Sequence, residues 1–226
     1  MLVQKYRDML SGKSVIRQLS EFATARGQEI GYENVFDYSL GNPSVPVPQA
    51  FTDAMVEMLQ KEETSVLHGY SPSLGITSVR EAIAASLEKR FGLPYRKEHI
   101  FMASGAAGAL AHAFRLVTEP GDEVLTFAPF FPEYTPYVNL SGALLKVVPP
   151  DTETFQIHFE KLEEMLTEKV MAVLVNTPNN PSGVVYSAET LKRLADLLRD
   201  KSAQFGHDIY LISDEPYREI VFEGAE

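Results

Sequence analysis

Asn176-Thr-Pro-Asn-Asn-Pro-Ser-Gly183 and Ser213-Asp-Glu-Pro-Tyr217 decide the reading of this 226-residue chain. Each follows an apolar run, Met171-Ala-Val-Leu-Val175 and Ile209-Tyr-Leu-Ile212, that reads as a buried strand. In an open α/β sheet, ligands bind outside the carboxyl ends of the strands. An amide, a carboxylate and a phenol delivered there, by Asn180, Asp214 and Tyr217, can surround one small aromatic ligand.

Working outward, the same alternation extends upstream. Strands are expected at residues 99–103, 123–127, 143–148, 170–175 and 209–212. Helices are expected at 106–117, 132–140, 159–166 and 188–205. Strands alternating with helices of this size imply βαβ crossovers and a mostly parallel sheet flanked by helices, an α/β fold. Before it lie three further amphipathic helices. One covers 13–27, one carries Phe51, Met55, Met58 and Leu59, and one runs from Ile76 to Phe91 with Gly92 as its stop. The Pro-rich stretch 43–48 suggests a boundary. Residues 1–47 are read as an N-terminal arm and 48–226 as part of one large domain.

Composition narrows the function. A formal charge of −11 argues against nucleic acid as a partner. Acids and bases are interspersed, as on an ordinary solvated surface. No cysteine is present, which removes disulfides and thiolate metal sites and fits a reducing compartment. The first eight residues carry charges where a signal peptide has an apolar core. No apolar run approaches the roughly 18 residues of a membrane helix. The histidines are scattered, so no metal site is expected. A cytoplasmic location is therefore expected.

Further residues bear on chemistry. Phe101-Met-Ala-Ser-Gly-Ala-Ala-Gly108 runs from a strand into a helix, and a helix N-terminus binds phosphate through unpaired N–H groups. The alternative is that small residues let the helix pack tightly on the sheet. No Gly-Lys-Ser/Thr follows, so it is not a P-loop. Asp122 and Glu123 stand at the start of the next strand rather than its end, a poor match to a nicotinamide site. After that strand comes Ala128-Pro-Phe-Phe-Pro-Glu-Tyr134. Taken singly, Phe131 reads as core, Asn180 as a turn former and Tyr217 as a packing residue.

Together and in this order, these segments resemble the cofactor-binding core of the fold-type I pyridoxal-phosphate enzymes, the aminotransferase class I/II family. The resemblance runs from about Phe36 onward. It is most specific in Asn-Asn-Pro-Ser-Gly and Asp-Glu-Pro-Tyr. It implies that backbone amides of Gly105, Ala106 and Ala107 hold the phosphate of pyridoxal 5'-phosphate, and that Phe131 stacks on its ring. It implies that Asp214 keeps the ring nitrogen protonated, and that Asn180 and Tyr217 hold the 3-oxygen. Leu40-Gly-Asn-Pro43 resembles the segment whose glycine meets the substrate carboxylate, which points to Gly41. Gly69-Tyr-Ser-Pro-Ser-Leu-Gly75 resembles the loop whose tyrosine reaches the phosphate of the other subunit of a homodimer, which points to Tyr70.

The implied activity is transfer of an amino group between an amino acid and a 2-oxo acid, in amino-acid metabolism. A C–S lyase or a decarboxylase of the same fold shares these motifs. A non-catalytic aminotransferase-like sensor module is the rival of another class. The family's cofactor-binding lysine has a Ser-x-Ser/Thr-Lys context that none of these lysines shares. It is therefore expected after Glu226, with no catalytic residue in this chain and an incomplete large domain.

Overall fold

In the computed structural model, residues 4, 7, 15–41, 45–220 and 222 are described. Residues 42–44 of the Pro-rich stretch, and the last four residues, lie outside them. The chain divides into two compact units, Met1–Tyr70 and Ser71–Glu226. The first holds α1 (Val15–Ile30), a 3-10 turn (Tyr32–Asn34), α2 (Gln49–Lys61) and α3 (Thr64–Leu67).

The second unit carries the sheet. Its elements run α4 (Thr77–Phe91), α5 (Gly105–Val117), β1 (Glu123–Phe127), α6 (Tyr134–Asn139), β2 (Leu144–Val148), α7 (Phe159–Met165), β3 (Val170–Asn176), α8 (Ala188–Phe205) and β4 (Tyr210–Asp214). The four strands are all parallel, in the order β2-β1-β3-β4. Parallel strands need crossovers, and helices on both faces bury both sides of the inner strands. This is why Val170-Met-Ala-Val-Leu-Val175 is almost unbroken in its apolar character.

Strand alternation sorts the core into two layers. Leu125, Val173 and Val175 pack with Leu162 of α7 and with Leu194 and Leu198 of α8. Val124, Ala172 and Leu174 point the other way, against Leu110 and Phe114 of α5 and Tyr134 and Val138 of α6. The crossover from β1 to β2 thus uses one face, and those from β2 to β3 and from β3 to β4 use the other. Right-handed crossovers that run in opposite directions along a sheet must take opposite faces. The switch of direction falls between β1 and β3, which opens a crevice at their carboxyl ends.

Local chemistry sets the helix ends. The Ser187 hydroxyl accepts from the Thr190 N–H at 3.1 Å and starts α8. Gly206, with φ +76°, ends it in the left-handed conformation that favours glycine. Gly92 ends α4 in the same way. Among the described residues, no helix is long and apolar enough to cross a membrane.

One expectation fails. Residues 99–103 do not form a strand: Lys97–His99 is a 3-10 turn and residues 100–103 are unpaired. A strand is defined by its ladder. The described residues supply no neighbour for this segment, which leaves Phe101 and Met102 exposed.

The two-layer core makes a quantitative prediction. Leu174→Ala and Leu194→Ala each remove a fully buried side chain, from opposite faces of the sheet. Each should cost about 2–5 kcal/mol. With no shared partners, the double variant should show the sum to within about 0.5 kcal/mol. Urea unfolding of both single variants and the double variant measures this.

Candidate active site

The carboxyl edge of the sheet is organised by Asn176, the last residue of β3. Its backbone pairs in register with Asp214, the last residue of β4. Its side chain is buried and serves two loops. Nδ2 donates to the Asp214 carbonyl at 2.9 Å, and Oδ1 accepts the Asn180 N–H at 2.7 Å. The loop beyond is a tight turn. Asn179 Oδ1 accepts from both the N–H and the hydroxyl of Ser182, and Gly183 takes φ +74°. Asn179 is therefore the turn former of this motif. The side chain of Asn180 is left to meet Tyr217, its Nδ2 donating to the phenol oxygen at 3.3 Å.

Asp214 is half-buried, and its Oδ2 accepts a hydrogen bond from the Tyr134 hydroxyl at 2.6 Å. Tyr134 opens α6, after the loop that leaves β1, and is 1% exposed. This bond spans from the β1 crossover to the end of β4, over the end of β3. The donor is a neutral phenol, so this contact sets no positive charge beside the carboxylate. Burial, and then the Asp214 carboxylate, push the Tyr134 phenol far above its ordinary range. Burial, Glu133 and Asp214 raise Tyr137 as well. Phe131 stands edge-on to Tyr134, with ring centroids 5.6 Å apart and planes at 82°.

The turn expected to meet a phosphate lies on the same edge by topology. The turn at 118–122 joins the C-terminus of α5 to the start of β1. A 13-residue helix and a 5-residue strand both run about 17–20 Å. The N-terminus of α5 therefore comes back to the carboxyl edge. Gly105 begins it with φ +72°, and Ser104 makes no side-chain cap. Gly105, Ala106 and Ala107 are exposed; the Gly105 N–H donates to Ala103 O at 3.0 Å, and the amides of Ala106 and Ala107 face solvent at the helix start, where an anion can meet them.

Gly105, Ala106, Ala107, Phe131, Asn180, Asp214 and Tyr217 thus belong to one unit and to one edge of its sheet. Gly41 and Tyr70 belong to the other unit, and Tyr70 is fully exposed. Asn176 and Tyr134 were not singled out from the sequence, although both stand within quoted motifs. A buried amide ending an apolar strand is the signal that marks Asn176. The donor set suits a planar heteroaromatic phosphate: a charged acceptor for a protonated ring nitrogen, an amide–phenol pair for a ring oxygen, an aromatic wall, and a helix N-terminus for the anion.

A family model for aminotransferase class I and II matches residues 33–226. The aspartate aminotransferase of Thermotoga maritima is 33% identical over 218 residues, which is 92% of this chain and 55% of that protein. A probable aspartate/prephenate aminotransferase of Aquifex aeolicus is 32% identical over 206 residues, 90% of this chain and 50% of that one. The crystal structure of an amino transferase from Eubacterium rectale superposes with a TM-score of 0.95 at 44% identity, covering 100% of this chain and 57% of that one. The chain spans about half the length of the curated relatives it matches.

Tyr134 yields a pH prediction. In the folded chain it holds its proton more tightly than in the unfolded chain, so above about pH 10 the unfolded chain binds fewer protons. Stability present below that pH is lost as pH rises. Tyr134→Phe should flatten this alkaline loss, with Tyr186, pushed up to about 12 by burial, and the raised Tyr137 supplying what remains. At neutral pH the same variant should be less stable by roughly 1–3 kcal/mol, because the carboxylate loses a donor. Unfolding curves taken across the alkaline range measure both effects.

Proposed function

The chain belongs to the aminotransferase class I and II family, and on that premise we propose that the whole protein transfers an amino group between an amino acid and a 2-oxo acid, with pyridoxal 5'-phosphate as cofactor. The observation that carries this reading is the Tyr134-held carboxylate of Asp214 beside the Asn180–Tyr217 pair. The curated relatives described above carry aminotransferase names, which favours this reading over lyase or decarboxylase chemistry.

When bound, the cofactor supplies an electron sink for the pair left at the substrate's α-carbon, and a protonated ring nitrogen deepens that sink. The chain's part is to bind, orient and hold protons. Asp214 holds the proton on the ring nitrogen, in a half-buried position where a charge-assisted hydrogen bond is strong. Tyr134 aims that carboxylate and occupies one of its oxygens. Asn180 and Tyr217 donate to the ring's 3-oxygen and so set the acidity of the groups bonded beside it. Phe131 covers one ring face. The turn at Gly105, Ala106 and Ala107 takes the phosphate, the Gly105 N–H exchanging its Ala103 O partner for the anion. Gly41 meets the substrate carboxylate. Tyr70 reaches the phosphate of a second subunit in a homodimer, and its exposure leaves its hydroxyl available for this.

We assign residues 48–226 to the large cofactor domain and 1–47 to an arm. A cytoplasmic setting accords with the lack of cysteine and with the acidic, interspersed surface charge.

Asp214→Ala in the whole protein should lower kcat by about 100-fold or more, equivalent to about 2.7 kcal/mol of barrier. Cofactor affinity should fall by less, because the phosphate and 3-oxygen contacts remain. Steady-state transamination kinetics and cofactor titration test the two separately. Near-normal turnover would remove Asp214 from the role.

A further inference from the structure

We propose that Arg80 is the positioning residue for the anion-binding turn at Gly105. This rests on the reading of Gly105, Ala106 and Ala107 as the phosphate seat. Arg80 lies in the second turn of α4 and is 8% exposed. A buried cation is costly unless it is paired. Among the described residues no carboxylate pairs with this one. Its guanidinium instead forks onto two backbone carbonyls, Nε donating to Ile100 O at 2.9 Å and one terminal nitrogen to Lys97 O at 2.5 Å. Glu81, next on the helix, holds the Lys97 ammonium at 2.7 Å. Two successive residues of α4 therefore grip the 3-10 turn Lys97–His99 and the residue that closes it.

That turn feeds directly into the seat. After Ile100 come only Phe101, Met102, Ala103 and Ser104 before Gly105, whose N–H donates to Ala103 O at 3.0 Å. Residues 100–103 lie in no ladder among the described residues, so side-chain contacts must fix their course. Gly75 supplies a second contact. It has φ +93°, and a Cβ there would approach Met102 Cγ to 2.4 Å. With the guanidinium at Ile100 and the Gly75 backbone at Met102, the approach to Gly105 is held at two points within three residues. Anion binding by backbone amides depends on where those amides point, so a shift at Ile100 is passed along a short segment to the seat.

The two-donor fork decides the residue type. Arg presents its N–H groups in a fixed plane, whereas Lys offers one ammonium on a flexible stem and cannot hold both carbonyls in the same geometry. Arg80 touches no part of the seat itself. Its effect should fall on the phosphate and spare the ring end, which Asp214, Tyr134, Asn176 and Asn180 organise separately.

The test uses the whole protein stripped of cofactor and titrated with pyridoxal 5'-phosphate and with pyridoxal, which lacks the phosphate. Binding is followed by the ligand's absorption in wild type, Arg80→Met, Arg80→Lys and Gly105→Val. The readout is the ratio of the two affinities. In Arg80→Met the preference for the phosphorylated ligand should fall roughly tenfold or more, the loss expected when hydrogen bonds to a charged group are misaligned, while pyridoxal affinity stays within about twofold of wild type. Arg80→Lys should lie between. An unchanged ratio, or equal weakening of both ligands, overturns the proposal. If Arg80→Met does not fold, Arg80→Lys decides by the same criterion. Gly105→Val separates the two readings. If that variant keeps the phosphate preference, the seat itself is wrongly placed. If it loses the preference while the Arg80 variants keep it, only the role of Arg80 fails.

Discussion

The carboxyl edge of this molecule depends on the last rung of the ladder between β3 and β4, where Asn176 faces Asp214. β3 has a strand on either side and helices on both faces, so its end is firmly fixed on that edge. A buried amide at that point must satisfy its donors and its acceptor. Asn176 does so by tying β4's last carbonyl to the loop that presents Asn180. The sheet's rigidity is thereby passed to two loops that would otherwise be exposed turns. Groups on separate chain segments then hold their positions before any ligand arrives, which is what a preorganised site requires.

The electrostatics follow from the choice of partner. A carboxylate paired with Arg or Lys would be largely neutralised and less able to hold a proton on a ligand. Asp214 is held by the phenol of Tyr134, which supplies direction without charge. The cost falls on the phenol, whose ionisation is suppressed by burial and by the neighbouring carboxylate. At the phosphate end the arrangement is reversed. The buried cation, Arg80, faces backbone carbonyls, and the proposed anion seat is made of backbone amides. In both places charge is oriented by neutral dipoles.

The sheet was legible because its signals are local. The apolar run of β3 reflects burial on two faces, and α8 carries a serine cap at one end and a glycine stop at the other. Asp214 and Gly105 stand where the sequence placed them, at a strand end and a helix start, with Asn180 and Tyr217 in the loops that follow β3 and β4. Residues 99–103 misled because a strand-like composition says nothing of a partner strand. Tyr134 and Asn176 escaped because their roles are relations across the fold. Tyr134 meets a residue 80 positions away and Asn176 one 38 away. No window of sequence holds both members of either pair. Arg80 escaped for a related reason: on a short helix pattern an arginine reads as surface, and only the folded chain shows it inside, on carbonyls 17 and 20 residues ahead.

If Asp214 holds a proton on a ligand nitrogen, as proposed, that proton can be observed. Nitrogen NMR of the whole protein loaded with pyridoxal phosphate labelled at the ring nitrogen reads that proton directly. At neutral pH the expected chemical shift is that of a protonated ring nitrogen, moving to that of the unprotonated ring in Asp214→Ala. An unprotonated ring nitrogen in the wild-type protein would contradict it.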